Sequence, residues 1–186
     1  MRIVGGAHRG RKLVAPDGAA TRPTSERVRE ALFDILGGRI AGAAFGDLYA
    51  GTGGVGMEAL SRGVGSCIFV EKGGPALSAL KHNLGLLAVG HRGRVLAMDV
   101  ARALDLLDEE GAALDICFCD PPYADGRWPL LLAGMGARKL IVPGGLLVVE
   151  HAVKTPPVCP AGMAQGRSYK YGDTGLVVFE KRGLGD

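Results

Sequence analysis

The chain has 186 residues, 47% of them hydrophobic, and a formal net charge of +3. This length fits one domain with a proper core and leaves no room for a second catalytic domain. No apolar stretch approaches the roughly 18 residues of a membrane span, and no signal core follows the N-terminal arginines, so we expect a cytoplasmic protein. Four cysteines without C-x-x-C spacing and four scattered histidines predict buried thiols and no metal site.

The first 30 residues concentrate the positive charge. Seven arginines and lysines oppose three acids there, which gives +4 against +3 for the whole chain. Such a segment would hold the phosphates of a nucleic acid, although a solvated face that only aids solubility has the same composition. The candidate RNA-binding residues are Arg9, Arg11, Lys12, Arg22, Thr24, Arg27 and Arg29.

A first helix follows within this basic segment. Thr24 or Ser25 can cap it. Its inward stripe would consist of Val28, Leu32, Ile35 and Leu36, with Arg27 and Arg29 on the solvent side. We therefore expect a single domain over 1–186 in which 1–38 form a basic RNA-binding extension, a hairpin plus a helix.

A glycine cluster comes next, after a short apolar run from Phe45. Gly51, Gly53 and Gly56 have the spacing of a nucleotide-type cofactor fingerprint between a strand and a helix over 55–62. Glycine lets the backbone turn tightly and lets a ligand reach main-chain amides. A second apolar run, 67–70, ends at Glu71, about 20 residues after the first glycine, where an acidic side chain can bind a ribose.

Two cofactor classes fit this pattern. NAD or NADP would need a pyrophosphate at the helix start and a hydride-handling substrate domain, whereas S-adenosylmethionine would need a third strand end for its adenine. Residues 94–97 read as a strand leading to Asp99, which could accept from the adenine amino group or cap the helix at 101–107. The candidate cofactor-binding residues are Asp47, Tyr49, Ala50, Gly51, Thr52, Gly53, Gly56, Glu71, Lys72, Asp99, Val100 and Asp120.

The clearest helical period lies between the second and third strands. Leucines recur on one stripe of 76–87, which predicts a core-facing helix with Lys81, His82 and Asn83 away from the core. The leucines are Leu77, Leu80, Leu84 and Leu87.

The apolar run 114–119 ends at Asp120-Pro121-Pro122-Tyr123. The prolines fix φ and remove backbone donors, so the turn's carbonyls and the Asp120 carboxylate would face outward as acceptors. An exocyclic NH2 group of a nucleobase offers two donors to such a pair, and Tyr123 could stack on the base. An ordinary polar turn is the alternative, because Asp and Pro are common turn residues.

Strands and helices alternate after residue 40, which predicts an α/β fold with a mostly parallel sheet and helices on both faces. The strands are expected near 45–49, 67–71, 94–97, 114–119 and 145–150, followed by an antiparallel edge hairpin over 167–171 and 175–180. Ligands of such sheets bind beyond the carboxyl ends of the strands. We therefore expect four acids to converge on one crevice around a sulfonium cation: Asp47, Glu71, Asp99 and Asp120.

Six stretches of the chain resemble the bacterial RsmD family: MRIVGG (1–6), RGRKL (9–13), RPTSERVREALF (22–33), AGTG (50–53), EALSRG (58–63) and DPPY (120–123). The resemblance implies a Rossmann-like class I S-adenosylmethionine-dependent methyltransferase with a seven-stranded sheet and a reversed final strand. Its implied substrate is the exocyclic amino group of one guanine, guanine 966, in 16S (small-subunit) ribosomal RNA. The implied enzyme is a monomer that acts on a small-subunit assembly particle.

By position, the resemblance assigns the cofactor to the glycine loop, Glu71 and Asp99. It assigns the target base to the catalytic residues Asp120, Pro121, Pro122 and Tyr123. The tetrapeptide is shared by adenine and cytosine amino methyltransferases, so it indicates the reaction type, while the N-terminal arginine blocks indicate guanine. The short, Pro-rich connection 152–166 departs from the family pattern.

The mechanism expected from these residues is direct in-line methyl transfer from sulfur to nitrogen. Hydrogen bonds to Asp120 and to the Pro121 carbonyl would position an amino group that is a poor nucleophile. The alternatives are an amino methyltransferase acting on adenine or cytosine in RNA or DNA, a dinucleotide-dependent oxidoreductase, and a non-catalytic RNA-binding subunit. A carbon methyltransferase that uses a thiolate is disfavoured, because Cys117 and Cys119 lie in an apolar run where burial keeps a thiol inert.

Overall fold

A computed structural model describes residues 1–16, 24–122 and 128–183. Two of the predicted site residues, Arg22 and Tyr123, lie outside the described residues. The chain divides into two compact units, Met1–Asp99 and Val100–Asp186.

Helices and strands alternate along the described residues, as the sequence predicts. The helices are α1 (Glu26–Leu36), α2 (Gly54–Ser61), α3 (Gly74–Leu86), α4 (Val100–Glu109) and α5 (Trp128–Ala137), with short 3-10 helices at Gly37–Ile40 and Gly90–Arg92. The strands are β1 (Ala44–Leu48), β2 (Ser66–Val70), β3 (Gly93–Leu96), β4 (Leu114–Cys119), β5 (Ile141–Ala152), β6 (Met163–Tyr171) and β7 (Thr174–Lys181). They form a seven-stranded sheet in the order β3-β2-β1-β4-β5-β7-β6. The predicted α/β fold class is confirmed.

In the first unit, β1, β2 and β3 pair in parallel, and the three strands lie within one residue of their predicted bounds. Phe45 and Phe69 are fully buried on β1 and β2. The side chain of Ser25, one of the two predicted caps, accepts a hydrogen bond from the Val28 N–H at the start of α1.

In the second unit, β4 and β5 pair in parallel, and β7 runs antiparallel to both β5 and β6, which confirms the predicted edge hairpin. β5 begins four residues earlier than the predicted 145, because Ile141 pairs with Leu114 ahead of a register shift. β6 begins at Met163 rather than 167, because its first residues pair with the end of β7 before a second register shift. Residues 153–162 contain no helix or strand.

Two predictions of solvent exposure are wrong. Arg29 is 1% exposed, and its guanidinium donates hydrogen bonds to the carbonyls of Thr24 (2.9 Å) and Arg2 (2.7 Å). Its burial lowers the pKa of Arg29, against the opposing charges of Glu58 and Glu26. Arg29 lies three and four residues before the buried Leu32 and Phe33, so it belongs to the inward stripe of α1. It therefore cannot be the RNA contact expected from its charge.

Asn83 is the second error. It was expected away from the core, yet it is fully buried on the same stripe of α3 as Leu80 and Leu84. The predicted burial of the cysteines is confirmed for Cys67 and for the pair on β4, while Cys159 is half-buried. Within the described ranges, no helix is long and apolar enough to cross a membrane, and no cluster of His, Cys, Asp and Glu is suited to a metal ion.

A buried carboxylate fixes the start of α2. Asp47, near the end of β1, is 1% exposed and accepts a hydrogen bond of 2.8 Å from the Gly56 N–H. Burial raises the pKa of Asp47 to about 7; the Gly56 N–H opposes this shift, and the charge of Glu71 adds to it. A Cβ at Gly56 would lie 2.3 Å from the Phe69 ring, so only glycine lets α2 pack this closely on β2.

We expect Asp47→Asn to remove much of the pH dependence of stability. The pKa of Asp47 is about 7 in the folded protein and about 3.9 in an unfolded chain. The folded state thus binds the proton more tightly, and the stability of the native protein falls as the pH rises from about 4 to about 7. Chemical denaturation at pH 5 and pH 8 should show that the free energy of unfolding of the native protein falls by roughly 2–3 kcal/mol more than that of the variant between these two pH values.

The matched control is Asp34→Asn, because Asp34 is exposed on α1. This control should follow the pH profile of the native protein. Parallel profiles for Asp47→Asn and the native protein would contradict the raised pKa.

Candidate functional site

In the loop between β1 and α2, Tyr49, Gly51 and Gly53 have a positive φ. Gly53, which precedes α2, has a φ of 84°, and its N–H donates to the Ala50 carbonyl at 2.8 Å. A Cβ at Gly53 would lie 2.5 Å from the Leu80 side chain, so a larger residue fits neither the conformation nor the space. Tyr49 also has a positive φ, 61°, a conformation that is rare for aromatic residues and typical of functional sites.

Glu71 joins the glycine loop to the end of β2. One of its carboxylate oxygens accepts the Gly51 N–H at 2.8 Å, and the other accepts the Gly73 N–H at 2.6 Å. Glu71 is half-buried, so its carboxylate is not sealed from solvent. A carboxylate has about four acceptor positions, and the two that remain suit a pair of sugar hydroxyl groups.

The ends of β2 and β3 are joined by an ion pair. Lys72 follows Glu71, and its ammonium lies 3.0 Å from the carboxylate of Asp99. The Asp99 side chain is 35% exposed, whereas Val100 is buried at the start of α4. Asp99 thus keeps an accessible carboxylate next to the loop that follows β2.

Asp47 differs from the other predicted cofactor-binding acids. It is sealed beneath the glycine loop, where its carboxylate holds the backbone of α2. Its place fits a residue that positions the loop rather than one that touches a ligand. The structure therefore brings Gly51 together with Glu71 and Lys72 together with Asp99, and it keeps Asp47 behind them.

In the second unit, Asp120 and the two prolines follow the carboxyl end of β4. Cys119 at that end pairs with Val149 of β5. Asp120 is half-buried, Pro121 is buried and Pro122 is exposed. Asp120 is thus a half-buried acid directly after a buried strand, and its role as acceptor of an amino group stays a prediction.

The N-terminal residues form a hairpin that carries the basic side chains. Arg2 and Lys12 form an antiparallel bridge, and Ile3 exchanges backbone hydrogen bonds with residues 10 and 11. Ile3 and Leu13 are buried. The hairpin carries four exposed cations: Arg9, Arg11, Lys12 and Arg2, of which Arg2 pairs with Glu26 at 3.1 Å. Arg27 is exposed on α1, and Thr24 is half-buried.

Polar residues of α2 that the sequence analysis did not single out attach this hairpin. Glu58 is fully buried and accepts the N–H groups of Val4 (2.7 Å) and Gly5 (2.6 Å). It also pairs with Arg62 at 2.9 Å. Ser61 donates to the Gly5 carbonyl (2.6 Å) and accepts the His8 N–H (2.9 Å). Polar residues in a short helix made mostly of small and apolar ones were the available signal.

Asn83 of α3 makes a third attachment. Its side-chain oxygen accepts the Val14 N–H at 2.8 Å, and its amide nitrogen donates to the carbonyls of Val14 and Thr52, each at 3.0 Å. One buried side chain thus contacts both the end of the N-terminal hairpin segment and the glycine loop.

Comparisons with known proteins agree with the fold. The Bacillus subtilis protein YlbH is 35% identical over 98% of this chain and 100% of its own length. The ribosomal RNA small subunit methyltransferase D of Escherichia coli K12 is 32% identical over 100% of this chain and 92% of its own length. The solved structure of the Escherichia coli protein yhhF superposes with a TM-score of 0.86 at 30% identity and covers 99% of both chains.

The family described as "Conserved hypothetical protein 95" matches residues 1–180. This match and the full-length identity to the Escherichia coli methyltransferase show that the chain belongs to the RsmD family.

Proposed function

We propose that this protein transfers a methyl group from S-adenosylmethionine to the exocyclic amino nitrogen of a guanine in small-subunit ribosomal RNA. The observation that carries the proposal is full-length membership of the RsmD family together with a half-buried Asp120 directly after the carboxyl end of β4. By the same resemblance, the target is the N2 atom of guanine 966 in 16S rRNA. We propose that a monomer acts on the small subunit during its assembly, which places the activity in the cytoplasm.

The cofactor assignment rests on the loop between β1 and α2. Gly51 and Gly53 carry no side chains in this loop, and the positive φ of Gly53 is one that glycine adopts readily. The zwitterionic end of S-adenosylmethionine would lie against its main chain, the ribose hydroxyl groups would donate to Glu71, and the adenine amino group would donate to Asp99. When bound, the cofactor supplies an electrophilic methyl group on a sulfonium.

The base assignment rests on Asp120. An aromatic amino group is a poor nucleophile because its lone pair is delocalised into the ring. Two hydrogen bonds, one to the Asp120 carboxylate and one to the Pro121 carbonyl, would hold the amino nitrogen in the geometry for in-line attack. The transferred methyl group leaves a cationic nitrogen that is acidic enough to lose its proton to water, so Asp120 need only bind and orient the amino group.

The RNA assignment rests on the N-terminal hairpin. The exposed cations Arg9, Arg11 and Lys12 belong to a hairpin whose backbone is held by Glu58 and Ser61. Cations on a rigid support bind phosphates at a lower entropic cost than cations on a mobile tail. Arg29 takes part only indirectly, because it is buried and holds the backbone of Arg2.

Calorimetry distinguishes the proposed cofactor from a dinucleotide. We expect S-adenosylmethionine to bind and NAD and NADP not to bind, because Asp99 offers an acceptor for an adenine amino group and the full-length relatives carry methyltransferase names. Glu71→Ala should weaken S-adenosylmethionine binding by about tenfold or more, in line with the loss of hydrogen bonds to a charged group. Tight binding of NAD with no binding of S-adenosylmethionine would favour the oxidoreductase instead.

Asp120→Asn and Asp120→Ala test the base grip. Both variants should lose at least about a hundredfold in methyl transfer to rRNA, because positioning supplies much of the rate. Their affinity for S-adenosylmethionine should stay within about twofold of the native value, since the loop and Glu71 are unchanged. The assay uses rRNA and small-subunit particles from cells that lack the activity, and nucleoside mass spectrometry identifies the methylated base.

Asp34→Asn is the matched control, since it removes an exposed carboxylate from α1. Methyl transfer at the native rate by Asp120→Ala would contradict the proposal that Asp120 binds the amino group of the target base. Recovery of N6-methyladenine or N4-methylcytosine instead of N2-methylguanine would retain the reaction type and reject the guanine assignment.

Reversing the charges of Arg9, Arg11 and Lys12 to Glu tests the hairpin. The triple variant should bind rRNA more weakly, and the slope of log affinity against log salt should drop by about 0.7–0.9 for each lost phosphate contact. The control reverses three other exposed cations, Lys81, Arg102 and Lys139. Equal losses in the two triple variants would mean that only net charge matters, and the hairpin would be a solvated face.

A further inference from the structure

The outermost strand of the second unit has an unusual surface. β6 is the last strand in the sheet order, and its residues from Ala164 to Ser168 are all exposed. Its sequence, MAQGRSYKY, contains two cations and two tyrosines but no acid. We call Arg167, Tyr169, Lys170 and Tyr171 of this edge strand the β6 surface; Lys170 lies on the face of the strand opposite to the two tyrosines.

Strand register places this surface at the same end of the sheet as Asp120. β4, β5 and β6 run in one direction, because β7 is antiparallel to both β5 and β6. Cys119, the residue before Asp120, pairs with Val149, which pairs with Val177, which pairs with Ser168. The residues that follow Ser168 along β6 are Tyr169, Lys170 and Tyr171. The carboxyl end of β6 therefore lies level with the turn that begins at Asp120.

The distance between the two features suits a short stretch of nucleic acid. Three steps between neighbouring strands, each about 4.7–4.9 Å, separate β4 from β6, which is roughly 14–15 Å. Stacked nucleotides rise about 3.4 Å each, so roughly four of them, or fewer in an extended strand, would cover this distance.

The two tyrosines are spaced for base stacking. Tyr169 and Tyr171 pair with Leu176 and Thr174 of β7, so both lie on one face of the sheet. Residues two apart on a strand are separated by about 6.6–6.8 Å, and strand-borne aromatic side chains can stack successive unpaired bases. Both tyrosines are half-buried, so part of each side chain is accessible and the rest is packed against the protein.

The charges of the β6 surface are available to a polyanion. Arg167 and Lys170 are exposed, and neither forms an ion pair within the parts of the chain that the structure describes. Lys154 is also exposed, and the Val153 N–H, just before it, donates to the carbonyl of Asp173 in the β6–β7 turn. These three cations outnumber the single exposed acid of the turn, Asp173.

We propose that the β6 surface binds single-stranded RNA next to the target nucleotide, with Tyr169 and Tyr171 stacking on bases and Arg167 and Lys170 contacting phosphates. The inference rests on the proposed function for the identity of the RNA. It adds a second RNA contact, in the unit that carries Asp120, to the contact proposed for the N-terminal hairpin. Charged residues also protect edge strands from pairing with other chains, and that simpler role makes no demand on RNA.

The test compares two double variants, Tyr169→Ala/Tyr171→Ala and Arg167→Glu/Lys170→Glu. We measure binding of a small-subunit rRNA fragment by fluorescence anisotropy and methyl transfer by steady-state kinetics. Each variant should raise the Kd for the fragment by about tenfold or more, the size expected for lost base stacking. KM should rise while kcat stays within about twofold, because the reacting groups are unchanged. Tyr169→Phe/Tyr171→Phe should bind as the native protein does, since it keeps the stacking rings.

Trimming the RNA supplies the matched control. On a fragment cut back to the target loop, the double variants should equal the native protein, because the contacted flank is gone. Arg102→Glu/Lys139→Glu, which reverses two exposed cations away from β6, should leave the Kd for the longer fragment within about threefold.

Three results would overturn the proposal. They are native affinity in both double variants, an equal loss on the trimmed fragment, and a loss seen only on assembled particles, which would indicate a protein partner at the strand edge. The proposed function is judged separately. A native protein that binds the fragment through the β6 surface but transfers no methyl group would refute the methyltransferase assignment and leave the RNA contact standing.

Discussion

The first unit depends on two buried carboxylates that accept backbone N–H groups at α2. Asp47 holds the Gly56 N–H at the first turn of this helix, and Glu58, on the helix itself, holds the N–H groups of Val4 and Gly5. An isolated buried carboxylate is costly, and hydrogen bonds from backbone donors offset part of its desolvation. Each acid thus fixes the position of one segment of the main chain.

The two segments held in this way have different proposed partners. The bond from Asp47 shapes the glycine loop, the proposed cofactor site, and the bonds from Glu58 shape the N-terminal hairpin, the proposed RNA contact. A single short helix therefore supports both, and Asn83 contacts the hairpin segment and the loop from α3. Sites supported by rigid elements keep their geometry better than sites on free loops. This explains why a segment rich in arginine and glycine has a defined backbone.

Sequence patterns predicted the elements well and the polar attachments poorly. The alternation of apolar runs and glycines indicated the strands of the first unit to within a residue; β1, whose last four residues are all buried, reads as a mostly apolar run. Charge and polarity predict that Arg29 and Asn83 face solvent, but their positions along α1 and α3 place both in the core. Both lie on stripes defined by buried neighbours. Arg29 donates to the carbonyls of Thr24 and Arg2, and Asn83 bonds to the main chain of Val14 and Thr52, contacts that no periodicity reveals.

The limits differ for the candidate site. The spacing of the glycines and Glu71 indicated a ligand-binding loop, but it could not separate an acid that faces a ligand from one sealed below the loop. Asp47 and Glu71 both follow apolar runs, and only burial distinguishes them. The sequence does not reveal the strand register either. Tyr169 lies level with the Asp120 turn through three successive strand pairings, β4 with β5, β5 with β7, and β7 with β6. Because backbone hydrogen bonds fix this register, Asp120 and the β6 surface keep a constant separation, which simultaneous binding of a target base and its flanking nucleotides would require.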